Sequence, residues 1–325
     1  MTTVRAVVCP EYGTPDVLRI EQRPGPTPGE GQARVRVHAA AVNFPDVLLI
    51  AGKYQIRVPP PFVPGSEFAG EIIELGPGCD GWKVGDRVTG TGLYGAFADQ
   101  ILSPAANLTA IPAGVDDRTA AAFGVAYRTA YHSLRSVARV RPGEKVIVLG
   151  AGGGVGLAAV QSAVALGAEV VAVASSAEKL ATAHSYGATQ LINHREGGLR
   201  EQLRTAVPDG AAAVLDPVGG DLSEPALRSL GRGGRFVTIG YASGSVPRIP
   251  LNLVLVKGLR ILGFQFQDVA PDEFTRNDKE LTDLFTSGRV SPHIGAVFPL
   301  EEAAVALEEV AHGRAVGKIL LDLNA

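Results

Sequence analysis

Hydrophobic and polar positions follow two rhythms along this chain, and the change falls near residue 116. Before it, short apolar runs alternate at period two. Residues 4–20 read as strand, turn (12–16) and strand, and A-R-V-R-V-H-A-A-A at 33–41 has one buried face. The segment N-F-P-D-V-L-L-I-A-G-K-Y, 43–54, predicts a loop leading into a short helix that stops near Gly52. Strand-and-turn patterns follow in P-G-S-E-F-A-G-E-I-I-E-L-G and W-K-V-G-D-R-V-T-G and recur to about residue 111. So many short strands predict an all-β domain or a partly open barrel.

From residue 116 the pattern lengthens. D-R-T-A-A-A-F-G-V-A-Y-R-T-A-Y-H-S-L is helix-forming, with Asp116 or Asp117 as its cap. Strands at 145–150, 169–174, 190–193, 211–216 and 235–239 then alternate with helices, and 259–266 reads as a sixth strand. Repeated βα units demand a parallel sheet covered by helices. Past Asp272 come a helix, the strand-like H-I-G-A-V-F, a helix at 300–311 and a strand at 318–323. This tail rejoins the first domain in the simplest arrangement, giving domains of 1–123 (completed by 268–325) and 124–267.

Chemistry first shows in K-V-I-V-L-G-A-G-G-G-V-G, 145–156, a buried-type strand running into glycines and then a helix that ends at Gly167. The spacing A-x-G-x-x-G puts Ala151, Gly153 and Gly156 at the positions of a dinucleotide turn. Such a turn needs a tight bend, a close approach of backbone to pyrophosphate, and close packing of helix on strand. Gly152, Gly153, Gly154 and Val155 then offer free N–H groups to a diphosphate at the helix start.

The next strand ends without the acid that commonly takes the adenosine ribose hydroxyls. In its place stand Ser175, Ser176 and Lys179, two hydroxyls and an ammonium suited to a ribose 2′-phosphate. A carboxylate there would repel that group, so NADPH is expected over NADH. A helix N-cap followed by a solvated lysine is the plainer account of the same residues, and the two are compatible.

Composition narrows the picture. With 46% hydrophobic and 19% charged residues, the 325-residue chain is an ordinary globular protein with room for two cores. A net charge of −3 gives nucleic acid no general attraction. No apolar run approaches the length of a membrane span, and a cytoplasmic location is the default expectation. Cys9 and Cys79 are the only cysteines, which excludes a disulfide framework and a four-cysteine metal lobe. The six histidines show no metal-ligand spacing.

Several stretches carry a family resemblance in combination: N-F-P-D-x-L-x-x-x-G-x-Y (43–54), P-G-S-E-F-A-G-E-I-x-x-x-G (64–76), G-D-R-V (85–88) and A-G-G-G-V-G-L. N-H-R-E (193–196), D-P-V-G-G (216–220), R-G-G-R-F-V-T-I-G (232–240) and G-K-I-L-L (317–321) agree with them. The chain resembles the medium-chain dehydrogenase/reductase superfamily, in its zinc-independent quinone oxidoreductase branch. That resemblance implies a GroES-like, partly open β-barrel domain beside a doubly wound Rossmann domain with a parallel sheet. Zinc alcohol dehydrogenases of the superfamily carry G-H-E where this chain has Gly65-Ser66-Glu67, and their early cysteine ligand corresponds to Asn43. An amide oxygen and a hydroxyl replace imidazole and thiolate poorly, so no metal is expected.

Without a metal, hydride transfer from NADPH to a quinone or the β-carbon of an enone leaves an oxyanion that needs hydrogen-bond donors. Tyr54, protonated at neutral pH, is the first candidate donor, and a tyrosine of this motif is regarded as proton donor in the related enoyl-thioester reductases. Asn43 either bonds ribose or substrate or forms a turn, and Asp46 reads as a helix-start residue. By resemblance Thr129 lies near the nicotinamide amide, His194 near the 2′-phosphate, and Lys318 in the terminal family contact. As plain residues they are a buried helix hydroxyl, a surface histidine and a solvated strand-edge lysine. Gly240, Tyr241, Phe264 and Gln265 fall at strand carboxyl ends, where open α/β sheets bind ligands.

The leading expectation is therefore an NADPH-dependent quinone reductase. A reductase of enals, enones or enoyl thioesters is the nearest rival, and a non-catalytic NADPH-binding protein the more distant one. L-R-I-L-G-F-Q-F, strongly β-forming at a sheet edge, predicts a homodimer.

Overall fold

Eleven residues, Gln32–Val42, organise the first half of the molecule. The structure, a computed structural model, describes residues 3–324 and divides into two units, one reaching to Val125 and resuming at Ile294, the other Ala126–His293. In the Gln32–Val42 strand Ala33, Val35 and Val37 are buried and Arg36 is exposed, the alternation of a half-covered strand. One edge pairs antiparallel with Glu67–Leu75. The other edge pairs first with Gln100–Pro104, through Gln32 to Arg36, and then with Lys318–Asp322, through Ala39 to Val42. Register shifts between Arg34 and Val35 and between Val37 and Ala39 flank the change of partner, as bulges bend a strand.

The sheet runs Ile294–Pro299, Lys318–Asp322, Gln32–Val42, Glu67–Leu75, Arg87–Thr91, Leu108–Ala110, with Thr3–Val8 and Arg19–Pro24 forming a separate antiparallel pair. The tail strands thus do rejoin the β-rich unit. From Ala39 to Val42 the central strand is buried on both faces, because Ala39 and Ala41 pack on Ala120, Ala121 and Ala122 of the small Asp117–Ala121 helix region.

The second unit is a six-stranded parallel sheet ordered Gln190–Asn193, Glu169–Ala174, Lys145–Leu149, Ala211–Asp216, Leu230–Thr238, Arg260–Gly263. In chain order this is 3-2-1-4-5-6, the doubly wound arrangement that reverses beside its first strand. Val146 to Leu149 are fully buried, as a strand covered by helices on both faces requires.

Two expectations change. The helix Pro271–Thr286 belongs to the second unit rather than to the first, where the sequence reading put everything from 268. Its buried Asn277 lies 3.3 Å from His132, Asp278 pairs with Arg128 at 2.6 Å, and Tyr131 donates to Glu280 at 2.7 Å. The sixth strand is Arg260–Gly263 alone; Gly263 ends it, so Phe264 and Gln265 lie beyond it, followed by a tight turn at Phe266–Asp268. A short helix, Leu251–Lys257, precedes that strand and was not foreseen.

Candidate functional site

Each unit carries a cluster of polar groups where its strands end. In the first unit the strand register creates one directly. Ile319 pairs with Val42, so Lys318 arrives beside Asn43, and Ala40 pairs with Phe68, which places Glu67 at the same end. Lys318 Nζ donates to Asn43 Oδ1 at 2.6 Å and to Glu67 Oε2 at 3.2 Å. The Asn43 amide nitrogen donates to Glu67 Oε2 at 3.2 Å and to Ser66 Oγ at 3.3 Å. The other Glu67 oxygen accepts the Val125 N–H at 2.6 Å. Lys318 is 4% exposed and Glu67 1%, so this is a buried ion pair and not a solvated edge lysine.

Asp46 lies beneath the same cluster. Its Oδ2 accepts the Asn43 backbone N–H at 2.7 Å, the reach-back of a helix-start acid, and its Oδ1 is buried without a hydrogen-bond partner. Burial lifts this carboxyl to about 7, against the pull of the Asn43 N–H, the Ser66 hydroxyl and the Lys318 ammonium, with the Glu67 charge adding to the rise. Tyr54, half-buried, is pushed above its ordinary value by burial and then by the charge of Asp46. The phenol is therefore a protonated donor across the physiological range. Beside Ser66 a cavity of about 240 Å³ is walled by Phe68, Leu93, Tyr94, Ile101 and Leu102.

In the second unit the glycine turn has the form its spacing requires. Gly150 takes φ +62°, Gly153 caps the Gly154–Ala165 helix, and Gly167 closes the far end at φ +81°. A Cβ on Gly156 would stand 2.0 Å from the Gly150 carbonyl oxygen, so only glycine lets helix and strand approach this closely. A Cβ on Gly153 would meet nothing nearer than 3.6 Å, so the space over the helix start is open. Gly152 is covered differently: the stem of Lys179 lies across it, 2.4 Å from where a Cβ would be.

Ser176 accepts the Lys179 N–H at 3.3 Å, so of the two serines it is the N-cap, and Ser175 beside it is half-buried. His194 follows the third strand and donates its N–H to Ala174 O at 3.1 Å, which brings it to the second strand's tip. Burial and then the Arg195 charge depress both Lys179 and His194. Arg195 therefore lies within electrostatic reach of both Lys179 and His194, near the strand tip that carries Ser175 and Ser176. Arg195 was missed from the sequence, though it adjoins His194 in N-H-R-E.

The remaining candidates in this unit are more scattered. Thr129 is buried on its helix, Tyr241 is 38% exposed beyond the fifth strand, and Phe264 stacks on His132 at 6.3 Å. Gly240 donates to Asp216 O, and buried Asp216 holds the D-P-V-G-G turn by accepting the Val218 and Gly219 N–H groups. Gln265 is exposed past the sixth strand. Glu67 has one visible signal: an acid set directly before the apolar run Phe68-Ala69-Gly70.

A doubly wound nucleotide-type sheet in one unit and a β unit bearing a buried polar cluster are the two parts of the medium-chain dehydrogenase/reductase architecture. Residues 29–113 match the alcohol dehydrogenase GroES-like domain and 154–283 the zinc-binding dehydrogenase domain. The chain is 38% identical to quinone oxidoreductase-like protein 2 of Bos taurus, covering 98% of this chain and 93% of that one. It is 33% identical to the quinone oxidoreductase of Rattus norvegicus, covering 98% and 97%. The crystal structure of Escherichia coli quinone oxidoreductase complexed with NADPH superposes with a TM-score of 0.90 at 31% identity, covering 98% and 100%. The chain belongs to the zinc-independent quinone oxidoreductase branch of that superfamily.

The zinc in the matched domain's description finds no fit here. Among the described residues no three His, Cys, Asp or Glu side chains converge as a metal-binding group. The cluster at Asn43 and Ser66 offers hard oxygens arranged about an ammonium, where zinc prefers sulfur and nitrogen.

Proposed function

We propose that the chain is an NADPH-dependent reductase of quinones that works without a metal. What carries the reading is the tip of the Glu169–Ala174 strand, where no carboxylate stands and Ser175, Ser176, Lys179, His194 and Arg195 gather. That donor set suits a ribose 2′-phosphate, and the open backbone at Gly153 suits a pyrophosphate. Thr129, Gly240, Tyr241, Phe264 and Gln265 are assigned to the nicotinamide half. These residues would hold NADPH, whose nicotinamide would be the source of the hydride. Tyr54 then donates a hydrogen bond or proton to the oxygen on which charge develops. Asn43 has its amide engaged with Lys318, Glu67 and Ser66, so its role is to hold that floor in place. The cavity beside Ser66, which sets Phe68, Tyr94 and Ile101 against the polar Thr91, Ser103 and Asn107, is assigned to the ring of a flat acceptor.

A protonated Tyr54 equally favours a second reading, reduction of an α,β-unsaturated carbonyl, in which the phenol protonates the enolate. NADPH oxidation against quinones, enals and enoyl thioesters, at matched concentrations, separates the two. The proposal expects the largest kcat/KM with a quinone. A larger value with an enal or thioester selects the second reading, and NADPH binding with no turnover of any acceptor removes both.

Assembly as a homodimer is part of the proposal. Arg260–Gly263 pairs on one side only, with Leu230–Thr238, and its Ile261 is 39% exposed. Leu251 and Leu255 of the adjoining helix are 71% and 84% exposed, more apolar surface than an isolated helix face leaves in water. No helix among the described residues is long and apolar enough to cross a membrane.

A further inference from the structure

Asn43 and Ser66, which by resemblance stand where zinc alcohol dehydrogenases carry ligands, belong here to a group that surrounds a cation of its own. Lys318 Nζ lies 2.6 Å from Asn43 Oδ1 and 3.2 Å from Glu67 Oε2. Ser66 Oγ joins through Asn43, and the unpartnered Asp46 Oδ1 is buried in the same group. Five side chains from three separate stretches are each at least nine-tenths buried: Asn43 at 8% exposure, Asp46 at 1%, Ser66 at 9%, Glu67 at 1% and Lys318 at 4%. Two of them are carboxylic acids and only Lys318 is basic. A pocket of hard oxygens closed over a buried carboxylate is what a divalent cation seeks.

We infer that Lys318 is a built-in cation: its ammonium takes the electrostatic place of a metal ion and keeps divalent cations out of this oxygen pocket. Three features support this. First, the strand register, not a flexible loop, delivers the ammonium, since Ile319 is locked opposite Val42. Second, a buried carboxylate without a counter-charge is strongly unfavourable, so something positive must sit here. Third, the donors around the ammonium are the amide and carboxylate oxygens that hold Mg²⁺ or Mn²⁺ elsewhere, and they lack the thiolate and imidazole that zinc selects. The inference concerns only this pocket and holds whichever acceptor the chain reduces.

Removing the ammonium is the test, with Mn²⁺ as probe. Lys318→Ala vacates the position and leaves the oxygens; Lys318→Arg keeps a cation; the double variant Glu67→Gln/Lys318→Ala removes both charges. Bound Mn²⁺ is measured by equilibrium dialysis and its electron paramagnetic resonance signal, and thermal denaturation is followed with and without the ion. Lys318→Ala is expected to bind one equivalent at least 100-fold more tightly than the parent chain and to regain melting temperature on adding Mn²⁺. The parent, Lys318→Arg and the double variant should do neither. A parent that takes up one equivalent lost in the double variant overturns the inference, as does Lys318→Ala with no gain in binding. Should Lys318→Ala fail to fold, its refolding yield is compared with and without Mn²⁺. Recovery with the ion supports the inference; no recovery, while the double variant refolds, overturns it.

Discussion

Gly153 and Gly156 lie three residues apart in one turn, and the structure gives them separable tasks. An alanine methyl at Gly156 would sit 2.0 Å from Gly150 O, 2.7 Å from Gly150 C and 2.8 Å from Ala151 Cα, all of them backbone atoms. Since no real Cβ approaches below 3.0 Å, the helix must move off the strand. Overpacking of this kind costs about 1–3 kcal/mol. The better helix propensity of alanine returns up to about 1 kcal/mol. A net loss of about 1–2 kcal/mol lowers the melting temperature by several degrees, at about 2–4 °C per kcal/mol for a domain of this size.

Gly153 at φ −88° has its nearest neighbour at 3.6 Å, so alanine fits the fold there. The added methyl instead occupies the space a pyrophosphate must enter. A penalty of about 1.4 kcal/mol or more weakens NADPH at least about tenfold. Thermal denaturation without ligand and NADPH titration, on Gly156→Ala and Gly153→Ala side by side, decide the matter. The expected pattern is loss of stability in the first and loss of affinity with near-parental melting in the second. Equal melting losses in both, or parental melting in Gly156→Ala, would refute the reasoning.

Lys179→Ala should weaken NADPH about 10- to 150-fold while leaving NADH unchanged, because a partly buried charge-assisted bond contributes about 1.5–3 kcal/mol; inhibition constants for the two coenzymes report it. Tyr54→Phe should lower kcat by about 10²–10⁴ if the phenol is the proton donor, with NADPH affinity retained. Since burial raises Tyr54, the parent's activity should hold on the alkaline side to pH values past the ordinary tyrosine range. Asp46, lifted to about 7 from 3.8, binds its proton more tightly folded than unfolded. Its stabilising contribution is therefore complete below pH about 4, declines as the pH rises to about 7, and is flat above. Asp46→Asn should remove that decline, worth a few kcal/mol, as read from denaturant midpoints across the window. Leu255→Asp, at an 84% exposed position, should shift sedimentation toward the monomer and leave the melting curve of the separated chain unaltered.

Strand, glycine turn and helix were legible at 145–167 because every requirement there is local: a buried apolar run, small residues at fixed spacing, a closing glycine. A cap at Ser175 or Ser176 was likewise readable. Lys318 was not, because a lysine opening an apolar strand looks solvated until its neighbours are known, and Asn43 lies 275 residues away. Glu67 stayed hidden for the same reason. The sixth strand was drawn too long, since L-R-I-L-G-F-Q-F carries β-forming residues beyond Gly263 whose rings pack against His132 and Phe274 instead. The unit of the Pro271–Thr286 helix is not legible locally, because nothing in its own residues names Arg128, Tyr131 and His132 as partners.

The change of partner along Gln32–Val42 has a bearing on biogenesis. Half of one edge is satisfied by Gln100–Pro104, close in sequence, but the other half waits for Lys318–Asp322. During translation the ribosome must complete all of Ala126–His293 before that strand is made. A nascent chain thus holds a finished nucleotide-type sheet beside a partner whose acidic pocket still lacks its counter-charge. Competence arrives in a single late step, when the lysine-bearing strand zips into its slot.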